Sequence, residues 1–340
     1  MSDRPRLPRR ALDGVLLLDK PLGLSSNDAL MRAKYLLLAK KAGHTGTLDP
    51  LASGLLPLCF GEATKFSQDL LDADKTYEAI VRLGVRTATG DAEGEAVQTR
   101  PVLCDRAAIE AALPYFRGAI EQVPPMYSAL KRDGKPLYEY ARAGQTLDRA
   151  ARAVTIHALE MLACALPERP EFSITVTCSK GTYIRTLAED IGEYLGCGAH
   201  LVALRRTAVG DLTLDRAVTL AQLEAAEPDA RTTWLQAADV LLSSFAGVSL
   251  DPAQSQRFLQ GQRLRLPDAQ RAALEQDCRA AAFRRGGASP SQEAGGSDAD
   301  SGERVKVYGT PARLLGTARL RDGVIAPERV VATAARDIAS

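Results

Sequence analysis

Cysteine and histidine are scarce in this 340-residue chain, and what there is lies scattered. Cys59, Cys104, Cys164, Cys178, Cys197 and Cys278 contain no C-x-x-C pair, and His44, His157 and His200 stand far apart. Zinc sites draw three or four such ligands from short, regular spacings, so no metal is expected. The same scatter argues against a disulfide framework and fits a reducing compartment. Aromatic residues make up only 5% of the chain. No apolar stretch approaches the ~20 residues of a membrane helix. The basic N-terminus (Arg4, Arg6, Arg9, Arg10) precedes an apolar run of only Gly14, Val15, Leu16, Leu17 and Leu18, too short for a secretory signal. A cytoplasmic protein without membrane contact is expected.

What is present is ordinary globular material, 46% hydrophobic and 25% charged. At roughly 150 residues per domain the length predicts about two domains. Net charge is only +1, but it is unevenly spread. The first fifty residues lean basic, residues 69–121 lean acidic, and the last eighty lean basic again through arginine. A near-zero sum can therefore hide a basic face of the kind a phosphate backbone meets.

The patterning predicts a buried strand at 14–18, then a helix capped by Ser25, Ser26 or Asn27. Residues 40–60, with two prolines and several glycines, read as a long functional loop. A helix follows at 62–72, a strand at 76–84, a turn-rich loop at 89–94 and a helix at 107–116. Residues 154–162 and 172–178 alternate as paired strands, and Thr182 is the expected cap of a helix to about 195. Strands and helices without strict alternation predict an α+β fold with a mostly antiparallel mixed sheet and flanking helices. From about residue 247 short β pieces (263–266, 305–308, 313–315, 330–331) predict a compact second domain, interrupted by a Gly/Ser/Asp-rich insertion at 283–303 expected to be disordered. Residues 1–12 read as a basic disordered tail.

Three segments carry chemistry. In Gly43-His44-Thr45-Gly46-Thr47-Leu48-Asp49-Pro50, glycines and a proline hold one carboxylate on a stiff loop. Asp49 there serves as nucleophile, base or ligand, or simply caps an Asp-Pro turn. In Ser179-Lys180-Gly181-Thr182-Tyr183-Ile184-Arg185, a strand turns into a helix whose first turn presents Arg185. A helix N-terminus disfavours a cation, so Arg185 calls for an anion, either a buried carboxylate such as Asp49 or a phosphate. Tyr77, in Lys75-Thr76-Tyr77, is core unless its ring faces a cleft near Asp49. Tyr127, Lys131, Tyr138, Tyr140 and Arg142 interleave rings and cations, a mix suited to bases and phosphates and also to a packed edge.

Together these segments, with Asp19-Lys20-Pro21, Gly61-Glu62-Ala63-Thr64-Lys65, Thr89-Gly90-Asp91 and the run from Gly198 to Arg206, resemble the TruB family of pseudouridine synthases in order and spacing. The resemblance implies isomerisation of uridine to pseudouridine at position 55 in the T arm of tRNA, with no cofactor and no metal. It implies that Asp49 is the essential aspartate, acting on the base or the sugar, and that Arg185 is its arginine partner. It implies that Tyr77 stacks on the base, that Tyr183 and Leu204 line the uracil pocket, and that His44 fills the space of the flipped nucleotide. Lys20, Lys65, Asp91 and Lys131 are expected at the pocket or on RNA. It further implies a catalytic domain over 13–246, a small PUA-like β-barrel over 247–340, and a monomer. Two other readings stay open: a tRNA-folding protein in which catalysis is secondary, and a guided synthase acting on ribosomal RNA.

Overall fold

The computed structural model describes residues 8–128, 130–284 and 302–332. In chain order it begins with β1 (Gly14–Lys20), α1 (Ser26–Leu36), β2 (Ala42–His44), β3 (Ala52–Phe60), α2 (Ser67–Leu71) and β4 (Lys75–Leu83). A ribbon of β5 (Val85–Thr87) and β6 (Ala96–Thr99), helix α3 (Arg106–Ala112) and strand β7 (Gly118–Gln122) follow. A second ribbon, β8 (Lys131–Arg132) with β9 (Lys135–Pro136), runs into α4 (Leu137–Arg142). Then come β10 (Arg152–Cys164), β11 (Glu171–Cys178), α5 (Ile184–Tyr194), β12 (Ala199–Val209), β13 (Leu212–Thr213), β14 (Val218–Thr219) and α6 (Leu220–Ala225).

Ten of these strands form one mixed sheet, ordered β14-β1-β3-β12-β4-β11-β10-β7, with β2 on β3 and β13 on β12. Only β1–β14 and β3–β12 pair in parallel, so the sheet is mostly antiparallel, as expected. Helices α1 and α6 cover Leu16, Leu18, Leu56 and Leu58. Helix α5 packs Leu187, Ala188 and Ile191 against Val81, Ile174 and Val176. Among the described residues no helix is long and apolar enough to cross a membrane.

The C-terminal part has β15 (Gly247–Ser249), α7 (Pro252–Leu259), β16 (Leu264–Arg265), α8 (Asp268–Arg284), β17 (Glu303–Gly309), β18 (Arg313–Arg321) and β19 (Val324–Val330). Its five strands run β15-β17-β18-β19-β16. The end strands β15 and β16 are not paired with each other, so the sheet is open where a closed barrel was expected. One apolar cluster joins the two parts, from Leu17, Leu55 and Phe66 through Leu242 to Val248, Phe258, Val307 and Ile325. Polar ties reinforce it. The buried Asp69 carboxylate accepts from Arg304 and, at 2.9 Å, from Arg329, and Lys65 Nζ donates to the Val330 carbonyl at 2.9 Å.

Several expectations need correction. Half of the loop expected at 40–60 is strand: β3 is a central strand buried at all but one position. A strand covered on both faces shows a continuous apolar run rather than alternation, so period two was absent. Thr182 does not cap α5; its hydroxyl donates to the Ser179 carbonyl at 2.9 Å, and Tyr183 is the N-cap. Of the tail, residues 1–7 lie outside the described residues, but Arg10 exchanges backbone hydrogen bonds with Leu38 and Lys40. Of the insertion, residues 285–301 lie outside the described residues, while 283–284 end α8 and Glu303 opens β17.

Candidate active site

The β2–β3 connection carries Asp49. Before the turn α1 holds Leu48: Ser26 Oγ accepts from Leu48 N at 2.7 Å and donates to Leu48 O at 2.9 Å. Gly23 N donates to the Pro50 carbonyl at 2.8 Å, and Ala52 N to the Asp49 carbonyl at 3.0 Å. Gly46 takes a positive φ of 72°, a region open to glycine without a Cβ penalty. The Asp49 side chain remains 53% exposed, which leaves one side of the carboxylate open to a ligand.

The other side meets Arg185. From the first turn of α5 its guanidinium, 10% exposed, sends Nη2 to Asp49 Oδ2 at 3.0 Å and Nη1 to Asp91 Oδ2 at 3.1 Å. Two carbonyls complete the shell, Tyr127 O at 2.6 Å and Thr89 O at 3.2 Å. Two carboxylates thus outweigh the few tenths of a kcal/mol by which the helix end opposes a cation. Asp91 is itself locked: Thr89 Oγ1 donates to its Oδ1 at 2.5 Å, Glu93 N donates at 3.2 Å, and Ala92 N ties the loop to Leu201 O of β12 at 2.9 Å.

Tyr77 lies on β4 with Leu51 and Leu204 in its apolar surroundings. Its pKa is raised, first by burial, while Arg206 lowers it and the nearby Asp49 charge raises it. Leu204 of β12 sits between Ala52 and Ala79 in register, next to the foot of the Asp49 loop. The Tyr183 pKa is also raised by burial, with the fields of Arg152 and Arg185 opposing and that of Asp49 adding to the rise. Its backbone is fixed by Gln122, which accepts from Tyr183 N at 3.0 Å and donates to Tyr183 O at 3.3 Å. His44 closes β2. Burial and then Arg206 lower its pKa, and its Nδ1 has no partner among the described residues.

Of the expected pocket residues, Asp49 and Asp91 each bond Arg185, Tyr77 lies in the field of Asp49, and Tyr183 lies in the fields of Arg185 and Asp49. Asp91 joins as the second carboxylate on Arg185. Lys20 is fully buried, its amine donating to Pro21 O at 2.9 Å and Leu24 O at 2.6 Å. Burial lowers it to about 8, with Asp49 opposing and Arg206 adding to the shift. Its amine therefore ties the turn after β1 rather than facing solvent. Lys65 belongs to the joint with the C-terminal sheet, bonded to Glu62 and Val330. Lys131 is exposed on the β8–β9 ribbon, beside cation–ring pairs of Lys135 over Tyr140 at 4.7 Å and Arg142 over Tyr138 at 5.4 Å. Gln122, the Tyr127 carbonyl and Arg206 escaped the sequence reading. Backbone acceptors leave no residue-type signal, and a fully buried arginine on a strand looks like a surface one.

Two family models match the chain: "TruB family pseudouridylate synthase (N terminal domain)" over residues 34–184 and "tRNA pseudouridylate synthase B C-terminal domain" over 185–243. The tRNA pseudouridine synthase B of Burkholderia lata is 66% identical over 334 residues, covering 98% of this chain and 95% of that protein. The proteins of the same name from Burkholderia mallei and Cupriavidus pinatubonensis are 64% and 63% identical, covering 98% and 96% of this chain and 99% and 96% of theirs. A solved chain of a Cbf5–Nop10–Gar1 complex superposes with a TM-score of 0.65 over 93% of this chain and 84% of its own, at 24% identity, a likeness of fold alone. The chain belongs to the TruB family of pseudouridylate synthases.

Proposed function

We propose that this protein converts the uridine at position 55 in the T arm of tRNA to pseudouridine. The observation that carries this reading is a half-open carboxylate, Asp49, held by a guanidinium that a second carboxylate anchors, in a chain 66% identical to a tRNA pseudouridine synthase B. The isomerisation breaks the bond from C1′ to N1, turns the base and joins C1′ to C5. A proton leaves C5 and N1 gains one, so the reaction balances without an oxidant or reductant. Asp49, ion-paired with Arg185, supplies the charge that the base or the anomeric carbon meets. The target must leave the stack at a cost of a few kcal/mol. In this reading Tyr77 and Tyr183 receive the everted ring against Leu204, and His44 occupies the space it leaves.

The β8–β9 ribbon, with Lys131, Lys135 and Arg142, would meet phosphates and bases of the arm. We assign residues 13–246 to catalysis and 247–340 to a PUA-like RNA-binding module, supported by the five-stranded C-terminal sheet. We further infer a cytoplasmic monomer, for which light scattering should return 36.4 kDa. The test is incubation with an unmodified tRNA transcript followed by mapping of pseudouridine. The reading expects conversion at position 55. Folded protein giving no product there contradicts it.

A further inference from the structure

Arg206 of β12 stands directly opposite Tyr77 of β4 in the sheet register, so the two side chains leave the same face as neighbours. The Arg206 side chain is enclosed: the residue is 1% exposed. Gly46 leaves room for the guanidinium, since a Cβ there would lie 3.3 Å from Nη1, and Gly54 lets β3 approach the Arg206 backbone, since a Cβ there would lie 2.2 Å from the Arg206 carbonyl oxygen. Nε donates to the Leu55 carbonyl at 2.8 Å and Nη2 to the Gly46 carbonyl at 3.4 Å.

Both of those acceptors are neutral. Arg185 has two carboxylates; Arg206 has no ion-pair partner among the described residues, and the ionisable group set beside it across the sheet is Tyr77. A buried cation without an anion is costly to maintain. That cost shrinks when negative charge develops on a neighbouring group, and Tyr77 is the ionisable neighbour across the sheet. The two groups already influence each other in this sense, since burial raises the phenol while the guanidinium pulls it back.

We propose that Arg206 is a positioning residue for Tyr77: its enclosed, carboxylate-free guanidinium fixes the phenol oxygen in the pocket and stabilises negative charge on it. The proposal deepens the reading of the site given above and rests on it for the reaction, but its test does not depend on turnover.

A fluorinated tyrosine whose phenol titrates near neutrality in water is placed at position 77, and fluorine NMR follows its ionisation with pH. The titration is compared in full-length protein with Arg206 intact, with Arg206→Lys and with Arg206→Gln. The proposal expects the midpoint to rise by about one pH unit or more in Arg206→Gln and by less in Arg206→Lys, which keeps the charge without the fork. With natural Tyr77, the single-turnover rate should fall about tenfold in Arg206→Gln while tRNA affinity stays within about twofold. An unmoved midpoint in whichever variant folds overturns the proposal. So does failure of both variants to fold, which would make Arg206 a packing residue. Absence of pseudouridine formation by the unaltered protein would instead refute the functional reading and leave the titration result standing.

Discussion

Replacing Asp91 by asparagine should slow the chemistry without loosening tRNA. Asp91 is a buried carboxylate, its side chain 5% exposed, and its Oδ2 lies 3.1 Å from Arg185 Nη1. The amide keeps one oxygen for Thr89 Oγ1 and Glu93 N, but it turns an NH2 toward a guanidinium that also only donates. The lost charge-assisted bond is worth about 1.5–3 kcal/mol. If that energy orients Arg185 against Asp49, the rate falls roughly tenfold to hundredfold. The assay is single-turnover release of tritium from C5 of the target uridine, with tRNA affinity measured in parallel. The account expects a slower release with affinity within about twofold. A folded Asp91→Asn protein that turns over at the wild-type rate, or that loses only affinity, refutes the reasoning.

Other expectations follow from the same geometry. Asp69→Asn leaves Arg304 and Arg329 without their buried carboxylate, a loss near the low end of the 3–5 kcal/mol typical of such breaks because both arginines are part-exposed. Circular dichroism melting should show a fall of roughly 4–5 °C; an unchanged melt would mean the joint does not depend on this cluster. His44 is held neutral by a lowered pKa, so the unfolded chain takes up its proton first as pH falls. Its contribution to stability is therefore present above pH 6.5 and lost as pH drops through the folded value, and His44→Gln should flatten the acid limb of a denaturation profile; an equally steep limb would contradict it. Lys20→Met should leave tRNA affinity within about twofold, because the buried amine meets carbonyls rather than solvent; a large loss in a filter-binding assay would show that it reaches RNA.

How much of this was legible in the sequence depended on whether one segment carried the signal. Strand β11 alternates over Phe172, Ile174 and Val176, and its pairing with β10 was readable. Strand β3 was not, because burial on both faces erases the period. Helix α8 was also missed: its stretch is rich in charge and alanine, and its buried face is narrow, Leu274, Cys278 and Ala281. For the site, the stiffness of the Asp49 loop and the need of Arg185 for an anion were visible from residue types. Which anion was not, because Asp49 and Asp91 approach Arg185 across separations of 136 and 94 residues. The family resemblance supplied Asp49, and the fold supplied Asp91. Lys20 and Lys65 were expected at the pocket or on RNA; what the sequence does not show is that the Lys20 amine bonds two backbone carbonyls and the Lys65 amine bonds Glu62 and the Val330 carbonyl.

The most direct measurement is single-turnover pseudouridine formation by Asp49→Asn on an unmodified tRNA transcript, beside its tRNA affinity. Asparagine preserves shape and removes the charge that Arg185 holds. The account predicts no detectable product with near-normal binding. Near-wild-type turnover by this variant would contradict it, since the reaction would then run without the carboxylate on which the whole arrangement converges.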